Sequence, residues 1–443
     1  MDLLATPLRR RVLFTLLYFS EGAPIGFIWL AMPTLFRQAD VRIDRITVLT
    51  AALVLPWTFK FVWAPLVDAV QTPQWTLRNW IIAAQCVMGL TLIPLAVLDL
   101  HQDFLLVGAV LLAHAFAAAT QDVAIDGLCV RVTAEAERGR LNGWMQAGMQ
   151  VGRALFGGGA LIAAGRFGLV GVVLMLAAVT TGTAIALAGS KIPGEQGGSI
   201  QAVIQSGLIR QRMWHVVREM SLLVRRPATW AAVAFALTAG AAFEALGAVQ
   251  GPLLLDQGFR QDEIGQLMAV PIVVCTIVGA LAGGYLADRY GHRRIVLVGL
   301  LWLVCNVGAT GLLERSPSEP SRPASLPMLL MATSLGIGLF TSSSYAMFMD
   351  VVDRRVAGTH LSALMGATNG CESWSGLAVG QLTRQIGLGT ALLLMCVVSL
   401  LSLPLLWLVR KPQSWDHDTS PHCGGEASVG NGGDQPRRSE SGR

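Results

Sequence analysis

The chain contains few charged residues for its length. Asp, Glu, Lys and Arg make up 14% of its 443 residues, whereas hydrophobic residues make up 53%. Soluble domains carry about 25% charged residues, so this composition excludes a typical water-soluble domain. A bilayer core about 30 Å thick needs about 20 apolar residues per helix, and the chain is long enough for about twelve such helices.

Two chemical signatures are missing. The seven cysteines lie singly, without a C-x-x-C pair, which argues against a disulfide framework and a zinc site. The phosphate-binding pattern G-x-x-x-x-G-K-S/T is absent, so we do not expect ATP-driven pumping by this chain. We accordingly expect no metal, no cofactor and no catalytic residue, and we predict that the protein is not an enzyme.

The basic residues follow a membrane topology. The net charge is +5, and Lys and Arg concentrate at the N-terminus, in the central segment and in alternate loops. Because cytoplasmic loops of membrane proteins are rich in Lys and Arg, both termini are predicted to lie in the cytoplasm and the chain in the cell inner membrane. No nucleic-acid partner is expected.

Apolar runs divide the chain into two sets of six. We predict an all-α membrane protein with twelve transmembrane helices, in which residues 1–190 and 228–410 form two pseudo-symmetric six-helix bundles. Residues 191–227 are predicted to be a cytoplasmic linker with an amphipathic helix on the lipid headgroups, and residues 411–443 a disordered cytoplasmic tail. The apolar runs are 12–36, 46–68, 79–98, 104–128, 139–165, 167–190, 228–255, 263–287, 295–313, 326–349, 359–383 and 387–409.

A motif rich in glycine and charge closes the eighth apolar run. Asp288 stands at a helix C-terminus, where the helix dipole disfavours an anion, so it needs cations or the N-terminus of another helix nearby. The nearby arginines are the expected cations. The motif consists of Gly284, Asp288, Arg289, Gly291, Arg293 and Arg294.

This motif resembles the one that follows the second and eighth helices of major facilitator superfamily transporters, where it latches the two bundles together on the cytoplasmic side. The equivalent first-half segment, 59–68, keeps the aspartate as Asp68 but lacks the glycines and most of the basic residues. Together with segments 18–24, 120–126 and 137–139, it resembles the AmpG muropeptide permease and acetyl-CoA transporter family, which includes siderophore permeases of the RhtX and FptX type.

A second correspondence supports two duplicated halves. Gly139 precedes Arg153 by fourteen residues, and Gly358 precedes Glu372 by the same number. Internal duplication around a site near the membrane midplane is common among transporters.

Several ionisable residues fall inside the predicted helices, where such residues are costly and usually functional. At 1.5 Å per residue, Glu21, Arg153 and Glu372 lie about 14, 21 and 20 Å from the cytoplasmic end. Arg153 is suited to bind a carboxylate or phosphate of a solute. An ion pair with Glu21 or Glu372 is the alternative.

Asp122 and Asp126 are spaced i, i+4 on one helix face. Two carboxylates about 6 Å apart resist joint ionisation, which suits a proton carrier. The alternative is structural: Asp122 pairs with Lys60 of the second helix, and Asp126 contacts Arg131.

Glu21 and two further positions are candidates for the cavity wall. Glu21 precedes Pro24, which is expected to kink the first helix and free backbone groups. The resemblance implies that helices 1, 4, 7 and 10 line a central cavity, so Glu244 and Tyr345 become candidate cavity groups.

The predicted function is secondary transport by alternating access, importing a polar anionic solute with protons. The resemblance implies an anhydromuropeptide, with a siderophore or an acyl-CoA as alternatives, and a monomer surrounded by lipids. Drug efflux by the same fold is a rival. A membrane prenyltransferase of the UbiA kind is a remote one, because Asp122, Asp126, Asp350 and Asp353 loosely imitate its acidic motifs.

Overall fold

A computed structural model of the protein describes residues 4, 6–41, 43–71, 75–189, 208–315 and 325–409. Within these ranges the regular structure is helical. The first part of the predicted linker, residues 191–207, and the predicted tail, residues 411–443, lie outside the described residues.

The described residues of the first half form eight α-helices. A π-helical turn, Phe27–Ala31, joins α1 to α2, and short 3-10 turns precede α4 and α7. The helices are α1 Pro7–Gly26, α2 Met32–Gln38, α3 Ile43–Phe59, α4 Ala64–Ala69, α5 Leu77–Leu95, α6 Phe104–Val132, α7 Arg138–Phe156 and α8 Gly158–Ala188.

The remaining described residues form ten α-helices. Helix α9 lies in the predicted linker, and a 3-10 turn, Arg354–Val356, precedes α16. The helices are α9 Leu208–Val224, α10 Pro227–Thr238, α11 Ala241–Asp256, α12 Gln261–Ala269, α13 Pro271–Tyr290, α14 His292–Arg315, α15 Ser325–Val351, α16 Ala357–Ile386, α17 Leu388–Leu401 and α18 Leu403–Leu408.

The apolar runs of the sequence coincide with these helices. Nine helical stretches of the described chain are long and apolar enough to cross a membrane, and one of them covers both α7 and α8. Gly168 interrupts α8 with a φ of 68°, and Gly387 separates α16 from α17 with a φ of 79°. A positive φ strains most L-residues but not glycine, so the two halves turn at equivalent positions with equivalent residues.

Helices α1 and α7 approach each other backbone to backbone. A Cβ atom at Gly22 would overlap the carbonyl oxygen of Met149, and one at Gly152 would overlap that of Phe19. Only residues without a side chain permit this approach. The contact fixes the two helices that carry Glu21 and Arg153.

Helix α1 runs through Pro24 without a break in its residue range, and the irregular backbone is the π-helical turn that follows. π-helical turns are rare in proteins, but those that occur are often at functional sites. The turn carries Trp29, which reaches the central cavity.

Candidate functional site

A cavity of about 270 Å³ lies between helices of both halves. Seven of the eight residues proposed from sequence for substrate and proton binding line it. They are Glu21, Lys60, Asp122, Arg153, Glu244, Tyr345 and Glu372.

Lys60 and Asp122 form a buried ion pair at the floor of this cavity. Asp126 Oδ2 lies 3.8 Å from the same Lys60 Nζ. One ammonium group therefore faces two carboxylates, and removing any member changes the charge balance of a site shielded from water.

Asp126 is the eighth predicted residue and lies behind the cavity wall. Its side chain is fully buried, and its Oδ1 accepts a hydrogen bond from the Tyr18 hydroxyl at 2.6 Å. The expected contact with Arg131 is wrong. Arg131 lies one turn further along α6 and contacts Asp68, with an Nη2–Oδ1 distance of 3.5 Å.

Glu21 adds a third carboxylate to this group. It is 3% exposed, interacts electrostatically with Asp122 and Asp126, and its Oε2 has no hydrogen-bond partner among the described residues. Three carboxylates thus share the single ammonium group of Lys60.

Arg153 stacks on an aromatic ring. Its guanidinium carbon lies 5.6 Å from the centre of the Trp29 ring, which in turn meets Trp57 edge to face. In the described part of the chain no carboxylate lies within 4.0 Å of the guanidinium nitrogens, so the alternative ion pair with Glu21 or Glu372 is wrong for this conformation.

The polar lining of α7 repeats with helical spacing. Gln146, Gln150 and Arg153 stand at i, i+4 and i+7 and all reach the cavity. Gln146 is only 7% exposed, and the side-chain amides of both glutamines have no hydrogen-bond partner among the described residues. Amide groups that line a cavity without a protein partner can both donate to and accept from a polar ligand, so this wall is suited to one.

Helix α16 presents the equivalent positions to the same cavity. With the offset of 219 residues that relates Gly139 to Gly358, Gln150 corresponds to Asn369 and Arg153 to Glu372. Both second-half residues line the cavity. The repeat therefore keeps an amide side chain at the first position, as Gln150 and Asn369. At the second position it replaces the cation of Arg153 with the anion of Glu372.

Glu244 of α11 lies near Glu372, with which it interacts electrostatically, and near Arg153. Tyr345 of α15 lines the same region. The serines that precede Tyr345 are buried, and their hydroxyls donate to carbonyl oxygens of their own helix.

Outside the cavity, Asp288 binds the N-terminus of α7. Its carboxylate accepts the backbone N–H of Gly139 at 2.7 Å and that of Arg140 at 2.9 Å, together with the Arg140 Nε at 2.9 Å. Gly284 and Gly139 pack without intervening side chains, since a Cβ on either would overlap the other's carbonyl oxygen. The sequence requirement for a helix N-terminus or cations near Asp288 is met by both at once.

The arginines expected to neutralise Asp288 lie elsewhere. Arg289 donates to the Tyr285 hydroxyl at 3.3 Å, Arg293 donates to the carbonyl oxygen of Val409, and Arg294 is exposed. Gly291, with a φ of 97°, turns the chain sharply after α13. The C-terminal position of Asp288 on α13 keeps its carboxylate directed at α7 of the other half.

Asp68 makes the equivalent contact with α16. It accepts the backbone N–H of Gly358 at 3.3 Å, the backbone N–H of Thr359 at 2.6 Å and the Thr359 hydroxyl at 2.7 Å. The two latch contacts, defined here as Asp288 with Gly139 and Arg140, and Asp68 with Gly358 and Thr359, are thus related by the internal repeat.

A histidine connects Asp288, the latch aspartate of the second half, to Asp350. His292 Nε2 lies 3.4 Å from Asp288 Oδ1, and its Nδ1 lies 2.6 Å from Asp350 Oδ2. Arg138 donates to Asp350 at 2.7 Å. Asp350 therefore pairs with Arg138 of the other half and with His292 of its own half.

Sequence reasoning missed Tyr18, Trp29, Trp57, Gln146 and Arg140. Arg140 directly follows the Gly139 that marked the repeat, so an arginine beside a latch glycine was an available signal. The spacing of Gln146 and Gln150 from Arg153 was another. Trp29 and Trp57 carry no such signal, because lipid-facing tryptophans are equally common in membrane helices.

Two family models match the chain. The Major Facilitator Superfamily model matches residues 236–431, and the Acetyl-coenzyme A transporter 1 model matches residues 11–109. The chain is 24% identical to the anhydromuropeptide permease of Escherichia coli K12 over 416 residues, which cover 91% of this chain and 80% of the permease.

Solved structures share the fold. The Escherichia coli fucose:proton symporter FucP aligns with a TM-score of 0.69 at 13% identity, covering 91% of this chain and 98% of the symporter. The human organic anion transporter MFSD10 aligns with a TM-score of 0.67 at 15% identity, covering 90% and 100%.

By these matches the chain is a multi-pass membrane transporter and not an enzyme; it has the fold of the major facilitator superfamily, and residues 236–431 match that superfamily's model. The predicted resemblance to the AmpG permease and acetyl-CoA transporter family is confirmed by the relatives and by the first-half family match.

Proposed function

We propose that the protein imports an anhydromuropeptide-like anionic solute together with protons across the inner membrane. The observation that carries the proposal is the central cavity, in which Arg153 and a buried cluster of carboxylates around Lys60 stand together. The similarity to the anhydromuropeptide permease over most of the chain supports the choice of solute.

Twelve spans with cytoplasmic termini belong to this proposal. The 54-residue stretch Glu135–Ala188 is long enough to cross a bilayer twice, and Gly168 supplies the turn. Residues 1–190 and 228–410 are then the two bundles, linked by residues 191–227 and followed by the tail 411–443. The monomer is the proposed working unit.

Proton coupling follows from the charge balance of the cavity. Glu21, Asp122 and Asp126 share one ammonium group, so full ionisation would leave two uncompensated negative charges in a site shielded from water. Each such charge costs several kcal/mol, and a proton removes the cost. Binding of an anionic solute beside these carboxylates is favourable only when they carry protons. Transport of the solute is therefore coupled to transport of protons.

The test is uptake of labelled anhydromuropeptide by cells that express the protein, with and without a protonophore and at several external pH values. Wild-type uptake is expected to rise as the external pH falls and to stop with the protonophore. Asp122→Asn is expected to lose both dependences.

The matched control is Asp99→Asn, the same change in an exposed loop between α5 and α6. Full sensitivity to protonophore and pH in Asp122→Asn would refute proton coupling through this cluster. Uptake of a ferric siderophore or acetyl-CoA in place of the muropeptide would move the assignment to that solute.

A further inference from the structure

The cavity contains a second pair of carboxylates, apart from the cluster around Lys60. Glu244 on α11 and Glu372 on α16 both line the cavity, and the two helices pack together where Gly240 lies beside Cys371 and Gly376 beside Ala248. Their carboxylates interact electrostatically, Glu244 also interacts with Arg153, and among the described residues neither acid has a cationic nitrogen within 4.0 Å. Two neighbouring carboxylates repel each other when both are ionised. A cation placed between them would remove that repulsion.

Glu244 and Glu372 share the cavity with a residue of opposite charge, Arg153. Glu372 stands on α16 at the position equivalent to Arg153 on α7, and both line one cavity. If the two residues served only to hold the helices together, they would form an ion pair. Instead Arg153 stacks on Trp29, and Glu372 is exposed to the cavity.

The amides beside them indicate a ligand as well. Gln146 is 7% exposed, lines the cavity and has no hydrogen-bond partner for its side chain among the described residues. Gln150 of α7 and Asn369 of α16 are half-buried and also line the cavity. A solute with both donors and acceptors would satisfy these amides.

We infer that the transported solute is zwitterionic, carrying a free ammonium group that binds between Glu244 and Glu372 and an anionic group that binds Arg153. This inference rests on the proposed function and narrows its solute to muropeptides with a free amine. Arg153 and Glu372 occupy equivalent positions in the two halves but carry opposite charges. The binding site therefore has a positive and a negative end, and the solute binds in one orientation.

The first experiment compares two probes in wild-type cells: an anhydromuropeptide with one free amine, and its N-acetylated derivative, in which only that amine is neutralised. We expect uptake of the free-amine probe to exceed that of the derivative by about tenfold or more, as one lost charged hydrogen bond would produce. Glu372→Gln is expected to abolish the preference, so that the variant takes up the two probes equally.

The control variant is Glu314→Gln, which changes an acid of the same half that hydrogen-bonds Gln257 outside the cavity. It is expected to retain wild-type preference. Equal uptake of the two probes by the wild type would overturn the inference. An equal loss of both probes in Glu372→Gln would do the same, since that is the result expected of a residue that only carries protons.

A binding measurement separates this inference from the proposed function. If wild-type cells take up neither probe, the proposed function fails, and the purified full-length protein is tested for thermal stabilisation by diaminopimelate against pimelate. Stabilisation by diaminopimelate alone, lost in Glu372→Gln, would support the zwitterion site. Equal stabilisation by both compounds, or by neither, would overturn it.

Discussion

The carboxylate of Asp68 accepts both the backbone N–H and the hydroxyl of Thr359, at 2.6 and 2.7 Å, although the two residues are 291 positions apart. The contact joins α4 of the first half to the N-terminus of α16 in the second. A helix N-terminus carries partial positive charge, and Arg131 of α6 lies 3.5 Å from the same carboxylate, so Asp68 finds its positive partners outside its own motif. This explains why the first-half motif can dispense with most of its basic residues.

The latch contacts should control access to the cavity. Asp288→Asn loses a charge-assisted interaction with the α7 N-terminus worth about 1.5–3 kcal/mol, so states open at the latch side should become about tenfold or more populated. The measurement is the maleimide labelling rate of Gln146→Cys in a background without native cysteines, from each side of the membrane. Asp353→Asn is the control, since Asp353 accepts hydrogen bonds from Arg355 in its own half. Unchanged labelling in Asp288→Asn would exclude a gating role.

Lys60 should matter more to stability than either of its acidic partners. Lys60→Met leaves Asp122 and Asp126 buried without a cation, and breaking a buried pair costs about 3–5 kcal/mol. Asp126→Asn should cost less, because Asp122 still pairs with the lysine and the amide can still bond Tyr18. Unfolding of the purified proteins would test the order. Greater loss in Asp126→Asn would contradict this account of the cluster.

The glycines between α1 and α7 should not tolerate a methyl group. Gly22→Ala or Gly152→Ala forces the helices apart, and overpacking of this kind costs about 1–3 kcal/mol. Gly182→Ala in α8 is the control, because no atom lies within 4 Å of the added Cβ. That change should be neutral or stabilising by about 0.5–1 kcal/mol, as Gly is disfavoured within helices. Thermal unfolding of the three variants measures the contrast.

Asp353 should make a pH-dependent contribution to the stability of the folded protein. Burial alone would raise the pKa of Asp353, but hydrogen bonds from the Arg355 side chain and backbone hold that pKa below its ordinary value of 3.8. A lowered folded-state pKa gives stability that is complete above the ordinary value and is lost as the pH falls below it. Asp353→Ala should therefore cost about 0.5–2 kcal/mol at pH 6 and less at pH 3. A difference from wild type that stays constant between these pH values would contradict the assignment.

The need of Asp288 for a positively charged partner could be predicted from sequence, but the residues that provide it could not. An aspartate at a helix C-terminus needs compensating positive charge wherever it occurs, and the neighbouring arginines were the obvious source. The structure instead supplies Gly139 and Arg140, which lie on another helix about 150 positions earlier. Likewise Asp126 and Arg131 share α6, yet each binds a residue of a different helix.

The sequence by itself determined the helical membrane class, the duplication and the charged residues that line the cavity. Hydropathy and helical spacing are local properties, and a charge within an apolar run must find a polar environment. Only the tertiary structure decided which charges are paired and which face the cavity. Lys60 pairs with Asp122, whereas Arg153 and Glu372 line the cavity without pairing with each other, because pairing depends on how helices distant in sequence approach one another.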